Sequence, residues 1–220
     1  MKKLSVLFLV IASFACAAEN EGLDELKRLC EKDAGLKIYK TVEADGYYNA
    51  YSESGWGDAL IKGPYQFYEY CDDSPSLSKA ALIPEPGCYR LRKVHRKEGQ
   101  CHQRIDEKLS TFVVAPYPKF LEEFCIEVQK IENPTAIYSF HSESKSWSDK
   151  NGVSEFRRSH VFVKDRLSSE TLGEYISYSY NEKPRHTSPK SCNIINKQIP
   201  SFVDAKLVES TIITHQGEMK

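Results

Sequence analysis

Apolar residues follow two different spacings along this chain, and each spacing predicts one kind of element. Between Gly22 and Ala34 they recur every three or four positions, which places them on one face of a helix. The residues on this face are Leu23, Leu26, Leu29 and Cys30. Acidic residues in the first turn and Gly35 after the last turn are typical signals for the two ends. The pattern predicts an amphipathic helix over Gly22–Ala34.

Beyond this helix, most apolar positions alternate with polar ones. The segments concerned are rich in Tyr, Phe, Val and Ile and are separated by Gly, Pro, Asn, Asp or Ser, which is typical of strands. The predicted strands are Leu36–Val42, Tyr65–Tyr70, Tyr89–Lys97, Cys101–Lys108, Thr111–Ala115, Phe124–Ile131, Ala136–Ser142, Glu155–Lys164, Tyr175–Tyr180 and Leu207–Thr214. One helix followed by many short strands predicts an α+β fold, in which the N-terminal helix packs on a mainly antiparallel β-sheet.

A short apolar segment precedes the helix and has the pattern of an export signal. A positive start, Met1–Lys3, is followed by an apolar run, Leu4–Ala15, and then by small residues. As a helix this run spans about 18 Å, which is too short for a hydrocarbon core of about 30 Å. We therefore predict a signal peptide over 1–17 and a single exported α+β domain over 18–220.

The site of cleavage has two interpretations. Small residues at Ala15 and Ala17 fit cleavage before Ala18 or Glu19, which would leave the protein free in the periplasm. Cleavage before Cys16 would instead follow a bacterial lipobox, in which the cysteine is lipidated and anchors the chain to the membrane. Ala15 fits the lipobox, whereas Ser13 and Phe14 depart from it.

Seven cysteines are present, and either cleavage removes Cys16 from the thiol pool by discarding or acylating it. The remaining six are Cys30, Cys71, Cys88, Cys101, Cys125 and Cys192. An even number in an exported chain predicts three structural disulfides, and spacing alone leaves the pairing open. No two of the six form a Cys-x-x-Cys pair, so a zinc site is the weaker interpretation.

The segment Leu29–Val42 reads Leu-Cys-Glu-Lys-Asp-Ala-Gly-Leu-Lys-Ile-Tyr-Lys-Thr-Val. It resembles the opening of a group of uncharacterised exported bacterial proteins, many of them lipoprotein-like. These carry a Leu-Cys-x-Lys-Asp-small-Gly stretch ahead of a Lys-x-Tyr-x-Thr-Val strand. The resemblance implies export, favours lipidation of Cys16 and brings no established activity.

Charge and motifs narrow the class of function further. Thirty basic residues against 31 acidic residues lack the basic excess that is usual in nucleic-acid-binding proteins. The sequence contains no Gly-x-Ser-x-Gly, P-loop, Gly-x-Gly-x-x-Gly or His-Glu-x-x-His motif. We therefore expect no nucleic-acid partner and no cofactor.

Two histidines would face each other if Tyr89–Lys97 and Cys101–Lys108 formed a hairpin that turns at Glu98-Gly99. That register places His95 opposite His102. A metal site would need a third ligand, so we expect a solvated pair and no metal. The same hairpin concentrates basic residues, including Arg90, Arg92 and Arg96. They fit anionic lipid headgroups, an acidic partner or, more commonly, a charged solvent face that keeps strand edges apart.

Eight aromatic residues fall within the 24 residues from Tyr47 to Tyr70. Tyrosine and tryptophan beside serine and glycine make large, adaptable contact surfaces. The candidate binding residues here are Tyr47, Tyr48, Tyr51 and Trp56. The alternative is that these rings fill the core.

Together these features predict a binding or structural component of the bacterial envelope, with an envelope protein, a peptide or a glycan as its partner. The alternative is a periplasmic, hydrolase-like enzyme whose catalytic groups converge from distant positions.

Intact-mass measurement of protein purified from the envelope tests the export prediction. We expect a chain that begins at Cys16 with a diacylglycerol group, or one that begins at Ala18 or Glu19 without a lipid. A full-length chain that retains Met1 would contradict both routes.

Overall fold

The computed structural model describes residues 22–51, 56–73, 83, 85–149, 152, 154–182, 189–192 and 203–214. The predicted signal peptide and Cys16 lie outside these residues. In chain order the described elements are α1 (22–33), β1 (Gly35–Ile38), β2 (Val42–Glu43), β3 (Gly46–Asn49), a π-helical turn (Asp58–Lys62), β4 (Phe67–Asp72), β5 (Gly87–His95), α2 (Gln103–Ser110), α3 (Tyr117–Glu123), β6 (Phe124–Ile131), β7 (Tyr138–Ser148), β8 (Ser154–Asp165), β9 (Thr171–Glu182), β10 (Lys190–Ser191), α4 (Val203–Thr211) and β11 (Ile212–Ile213).

These elements form an α+β fold with a large, mostly antiparallel sheet, as predicted. The chain divides into two compact units. The first unit holds the described residues within 22–37, 143–161 and 175–203, and the second holds those within 38–142, 162–174 and 204–214. Strands β7, β8 and β9 contribute residues to both.

The first unit is built around the predicted amphipathic helix. Its strands lie in the order β1-β9-β8-β7, and β10 pairs with β9. The apolar face of α1 supplies Leu26 and Leu29 to a core that includes Tyr178 and Tyr180. The spacing of apolar residues within Gly22–Ala34 therefore predicted this helix correctly.

The second unit has the strand order β9-β8-β7-β3-β4-β5-β6, and β11 pairs with β2. Strand β3 is parallel to both of its neighbours, β4 and β7, whereas the pairs β4–β5 and β5–β6 are antiparallel. One face of its central strands carries buried tyrosines, with the ring of Tyr47 5.2 Å from that of Tyr65 and 5.4 Å from that of Tyr68. Edge-on contacts of this kind stabilise a core beyond the area that they bury.

Three disulfides are formed, as predicted, and the structure decides their pairing. Cys30 bonds to Cys192, Cys71 to Cys88 and Cys101 to Cys125. Cys71 and Cys88 lie directly opposite each other on β4 and β5. Structural disulfides persist in oxidising compartments, so the pairing indicates an extracellular or periplasmic environment.

Three predicted strands differ from the structure. Two of them are wholly or mostly helical, and the third has no strand structure. Cys101–Lys108 was wrong because Ile105 and Leu109, four residues apart, are the buried residues of α2. Leu207–Thr214 was wrong over Leu207–Thr211, because Leu207 and Thr211 are buried at the same helical spacing in α4, and correct at Ile212–Ile213, which form β11. Thr111–Ala115 follows α2 without strand structure. In each case a short apolar–polar alternation also fitted another conformation.

The predicted histidine hairpin is therefore wrong as well. His95 lies opposite Phe124 in the pairing of β5 with β6. His102 precedes α2, and its Nδ1 accepts a hydrogen bond from the backbone N–H of Ile105 at 3.4 Å. The helix removes the strand register on which the facing pair depended.

The connection from β6 to β7 crosses the central sheet on the face opposite the buried tyrosines. A buried carboxylate holds it there. Glu69, on β4, is 0% exposed. It accepts hydrogen bonds from Arg90 Nε at 2.8 Å and from the backbone N–H groups of Thr135 and Ala136, each at 2.8 Å. Arg166 closes the far side of this connection, with its Nη1 donating to the carbonyl oxygens of Pro134 and Ala136. A buried charge is tolerated only when it is paired and hydrogen-bonded in this way.

Substitution Glu69→Gln removes the negative charge that pairs with Arg90. It also replaces one carboxylate oxygen by an NH₂ group, so the donors that bonded to that oxygen lose their acceptor. We expect the free energy of unfolding to fall by about 3–5 kcal/mol, as for other broken buried ion pairs. Urea denaturation measures the change. The matched control is Glu127→Gln, because Glu127 Oε2 meets Arg92 Nη1 at 3.4 Å with the arginine exposed; it should cost under about 1 kcal/mol. Equal costs for the two variants would contradict the role assigned to Glu69.

Candidate functional site

A cleft of about 310 Å³ lies in the second unit, on the tyrosine-bearing face of its sheet. Strand β3 supplies Tyr47 and Asn49 to its wall, and Tyr51 follows them. Successive strand residues point to opposite faces, so Tyr47 and Asn49 share one side while Tyr48 points away from it. Phe140, which pairs with Asn49 across β3 and β7, completes this wall.

Asn49 fixes the local geometry of β3 and of the residues that leave it. Its Nδ2 donates a hydrogen bond to the hydroxyl of Tyr68 at 2.6 Å. Its Oδ1 accepts one from the backbone N–H of Tyr51 at 2.9 Å. At the start of the strand, a Cβ on Gly46 would lie 2.2 Å from the carbonyl oxygen of Phe67. Only glycine lets β3 approach β4 this closely.

The second wall is α4, which contributes Asp204, Ala205, Val208 and Glu209. The helix is held by buried Leu207 and Val208. Its close approach to β9 depends on Gly173, because a Cβ there would lie 2.7 Å from Thr211 Oγ1. The buried apolar residues fix the position of α4, and in that position Asp204 and Glu209 lie at the cleft.

The π-helical turn Asp58–Lys62 forms the third wall, with Asp58 and Ala59 in the lining. Asp58 Oδ1 meets Lys62 Nζ at 2.7 Å, four residues along the turn. Helical turns of this kind are rare and occur frequently at functional sites. Tyr65 follows the turn, and its hydroxyl donates to the carbonyl oxygen of Ile212 at 2.8 Å.

Three carboxylates therefore line the same cleft as Tyr47, whose side chain is only 7% exposed. Burial raises the pKa of the Tyr47 hydroxyl, and the negative charges of Asp58, Glu209 and Asp204 raise it further. Burial also raises the pKa of Tyr65, with smaller contributions from Tyr47 and Glu209. Partial loss of water raises the pKa of the Asp204 carboxyl. The described ionisable groups of the lining are thus three carboxylates and the phenols of Tyr47, Tyr51 and Tyr65.

The predicted aromatic residues fall into different environments. Tyr47 and Tyr51 line the cleft, and Tyr51 is 64% exposed. Tyr48 lies on the other face, where its ring is 5.2 Å from the guanidinium of Arg166. Trp56 is half-buried and outside the cleft lining. Most of the other aromatic residues up to Tyr70 belong to the core, as the alternative interpretation expected, and a binding role for Tyr47 and Tyr51 stays a prediction.

Each predicted arginine contacts a carboxylate. Arg90 binds Glu69, and Arg92 Nη1 lies 3.4 Å from Glu127. Arg96 Nη1 donates to Asp106 at 2.6 Å, and its other nitrogens donate to the carbonyl oxygens of Leu121 and Phe124. The three arginines lie on β5 and beside it and are not in the lining of the cleft.

A hydrogen-bonded serine–histidine pair occurs on β7, with Ser139 Oγ 2.8 Å from His141 Nε2. Ser139 is 1% exposed, and strand alternation points it away from the cleft that Phe140 lines. The Ser139 hydroxyl is therefore not part of the cleft lining.

Sequence reasoning missed Asp58, Asp204 and Glu209. Asp204 and Glu209 lie on α4, about 150 residues from Tyr51 in sequence, and Glu209 falls in the segment Leu207–Thr214 that was predicted to be a strand. The spacing of Asp204, Ala205, Val208 and Glu209, at positions i, i+1, i+4 and i+5, is the signal that places them on one face of a helix. No local pattern joins that helix to the aromatic segment.

Among the described residues, no group of His, Cys, Asp and Glu side chains is arranged to hold a metal ion. No helix in the described ranges is both long and apolar enough to cross a membrane.

Comparison with known proteins assigns no family to the chain. No protein-family model, curated protein or solved structure matches it.

The raised pKa of Tyr47 predicts a loss of stability at alkaline pH. In the unfolded chain this tyrosine ionises near pH 10, whereas the folded protein keeps it protonated, so folding is favoured fully below about pH 10 and less above it. Between about pH 10 and about pH 11, we expect the free energy of unfolding to fall less steeply with pH in Tyr47→Phe than in wild type. The difference between the two slopes should be up to about 1.4 kcal/mol per pH unit. Urea denaturation at stepped pH measures the slopes. Tyr51→Phe, which removes an exposed hydroxyl, is the control; equal slopes for Tyr47→Phe and wild type would contradict the prediction.

Proposed function

We propose that this protein is exported to the bacterial envelope and binds a ligand there through the cleft at Tyr47. The observation that carries the proposal is the cleft itself. It combines aromatic and aliphatic walls with a few polar groups, which is the usual composition of a ligand site.

Two features support a binding role over a purely structural one. The cleft brings together side chains from β3, β7, α4 and a π-helical turn, and it keeps the hydroxyl of the buried Tyr47 beside carboxylates whose charge raises its pKa. Tyr51 also leaves a large ring exposed at the cleft, where packing does not require it. Costs of this kind are commonly retained at functional sites.

Export is supported by the three disulfides and by the signal-like pattern of residues 1–17. The partner classes that fit the envelope are a small solute, a peptide or a glycan. Lipidation at Cys16 would hold the cleft near the membrane.

Blocking the cleft tests the proposal. Ala205→Phe adds a ring to the lining on α4, while the neighbouring Lys206→Phe adds the same ring to an exposed position on the same helix. Ligand-observed NMR with a fragment library of cationic, neutral and anionic members provides the measurement. We expect fragments that bind wild type and Lys206→Phe to lose binding to Ala205→Phe. Fragment binding that survives in Ala205→Phe, or a library without any binder, would contradict a ligand site here.

A further inference from the structure

We propose that the cleft selects a ligand with an organic ammonium group at the end of an aliphatic chain. This inference rests on the proposed function and names the ligand chemistry of the same site. Free polyamines and the lysine side chain of a peptide both carry this group.

The charged groups of the lining are all acidic. They are Asp58, Asp204 and Glu209, and none of the lining residues that the structure describes is a lysine or an arginine. Asp58 is paired with Lys62. Within the part of the chain that the structure describes, Asp204 and Glu209 have no basic partner. A bound cation would supply that partner, and an anion would be repelled.

Tyr47 gives a second, independent indication. Its side chain is more than nine-tenths buried, it lines the cleft, and its hydroxyl has no hydrogen-bond partner among the described residues. The carboxylates of Asp58, Asp204 and Glu209 act on this hydroxyl. A ligand ammonium can donate an N–H to the phenolic oxygen while it faces the carboxylates. The hydroxyl is not one of the fully buried atoms without a partner, so it reaches the surface of the cleft, where a ligand can bond to it.

The walls favour an organic cation over a hydrated metal ion. The rings of Tyr47, Tyr51 and Tyr65 stand in the lining with Phe140, and aromatic faces attract ammonium groups. Ala59, Ala205 and Val208 add aliphatic surface on which a methylene chain can lie. A metal ion would gain nothing from either surface.

The size of the cleft sets the extent of the bound group. A volume of about 310 Å³ is at the lower end of the range for small-molecule sites. It suits one ammonium-terminated chain, whether that chain is a free amine or one side chain of a peptide.

Isothermal titration with matched probes tests the charge preference. Pentane-1,5-diamine, pentane-1,5-diol and glutarate share a chain length and differ in charge. We expect the diamine to bind and the diol and glutarate to bind at least about tenfold more weakly, the ratio that one charge-assisted hydrogen bond supplies. Nα-acetyl-lysine methylamide tests whether the ammonium group belongs to a peptide or to a free polyamine, and its norleucine counterpart is the uncharged control. Binding of the lysine compound that is tighter than that of the diamine indicates a peptide, and weaker binding indicates a free polyamine.

Variants tie the preference to the named side chains. Asp204→Asn and Glu209→Gln should each weaken diamine binding about tenfold, because each removes one charge and keeps the side-chain shape. Glu132→Gln removes an exposed carboxylate outside the lining and should leave the affinity unchanged. Tyr47→Phe should weaken the diamine as well, and circular dichroism verifies that each variant is folded.

Three outcomes would overturn the inference. Diol or glutarate binding as tightly as the diamine would leave the cleft a ligand site and refute its preference for ammonium. Calcium binding that Asp204→Asn and Glu209→Gln abolish, without diamine binding, would identify a metal site instead. Failure of every probe and every library fragment would refute the proposed function as well.

Discussion

The buried carboxylate of Glu69 is the constraint on which the second unit depends. It lies in the middle of the sheet, and the backbone of Thr135 and Ala136 bonds to it directly. Those two residues lead into β7, so Glu69 determines where the chain returns after crossing from β6. Strand β3 can then pair in parallel with β4 on one side and β7 on the other. An unpaired carboxylate at this depth would be strongly unfavourable, which makes the crossing specific as well as stable.

Strand alternation connects this crossing to the candidate site. Glu69 faces the connection, and its neighbours Tyr68 and Tyr70 therefore face the opposite side, where they form the core with Tyr47. The pairing of β3 with β7 brings Phe140 beside Asn49. The cleft is the open space between this aromatic surface and α4. Its chemistry follows from two sources: the strands supply the rings, and α4 and the π-helical turn supply the acidic groups.

The disulfides act on different parts of this arrangement. Cys71–Cys88 joins β4 to β5, the two strands that carry Glu69 and Arg90. Cys101–Cys125 joins the segment before α2 to β6. In the first unit, Cys30–Cys192 closes a sequence separation of 162 residues and fixes α1. Such bonds restrict the unfolded chain and form only under oxidising conditions. Fold stability and cellular location are thus linked through the same six residues.

The sequence by itself determined the features that depend on local periodicity and on counting. These include the helix α1, the strand β6 at Phe124–Ile131, the α+β class and the presence of three disulfides. It did not determine α2 or α4, because their short apolar patterns fit a strand as well as a helix and only burial against the sheet selects one. The pairing of Cys71 with Cys88 and the contact of Arg90 with the buried Glu69 depend on strand register, which no local pattern encodes. The cleft depends on tertiary structure most of all, since Tyr47 and Glu209 are more than 160 residues apart and only the packing of α4 brings them together.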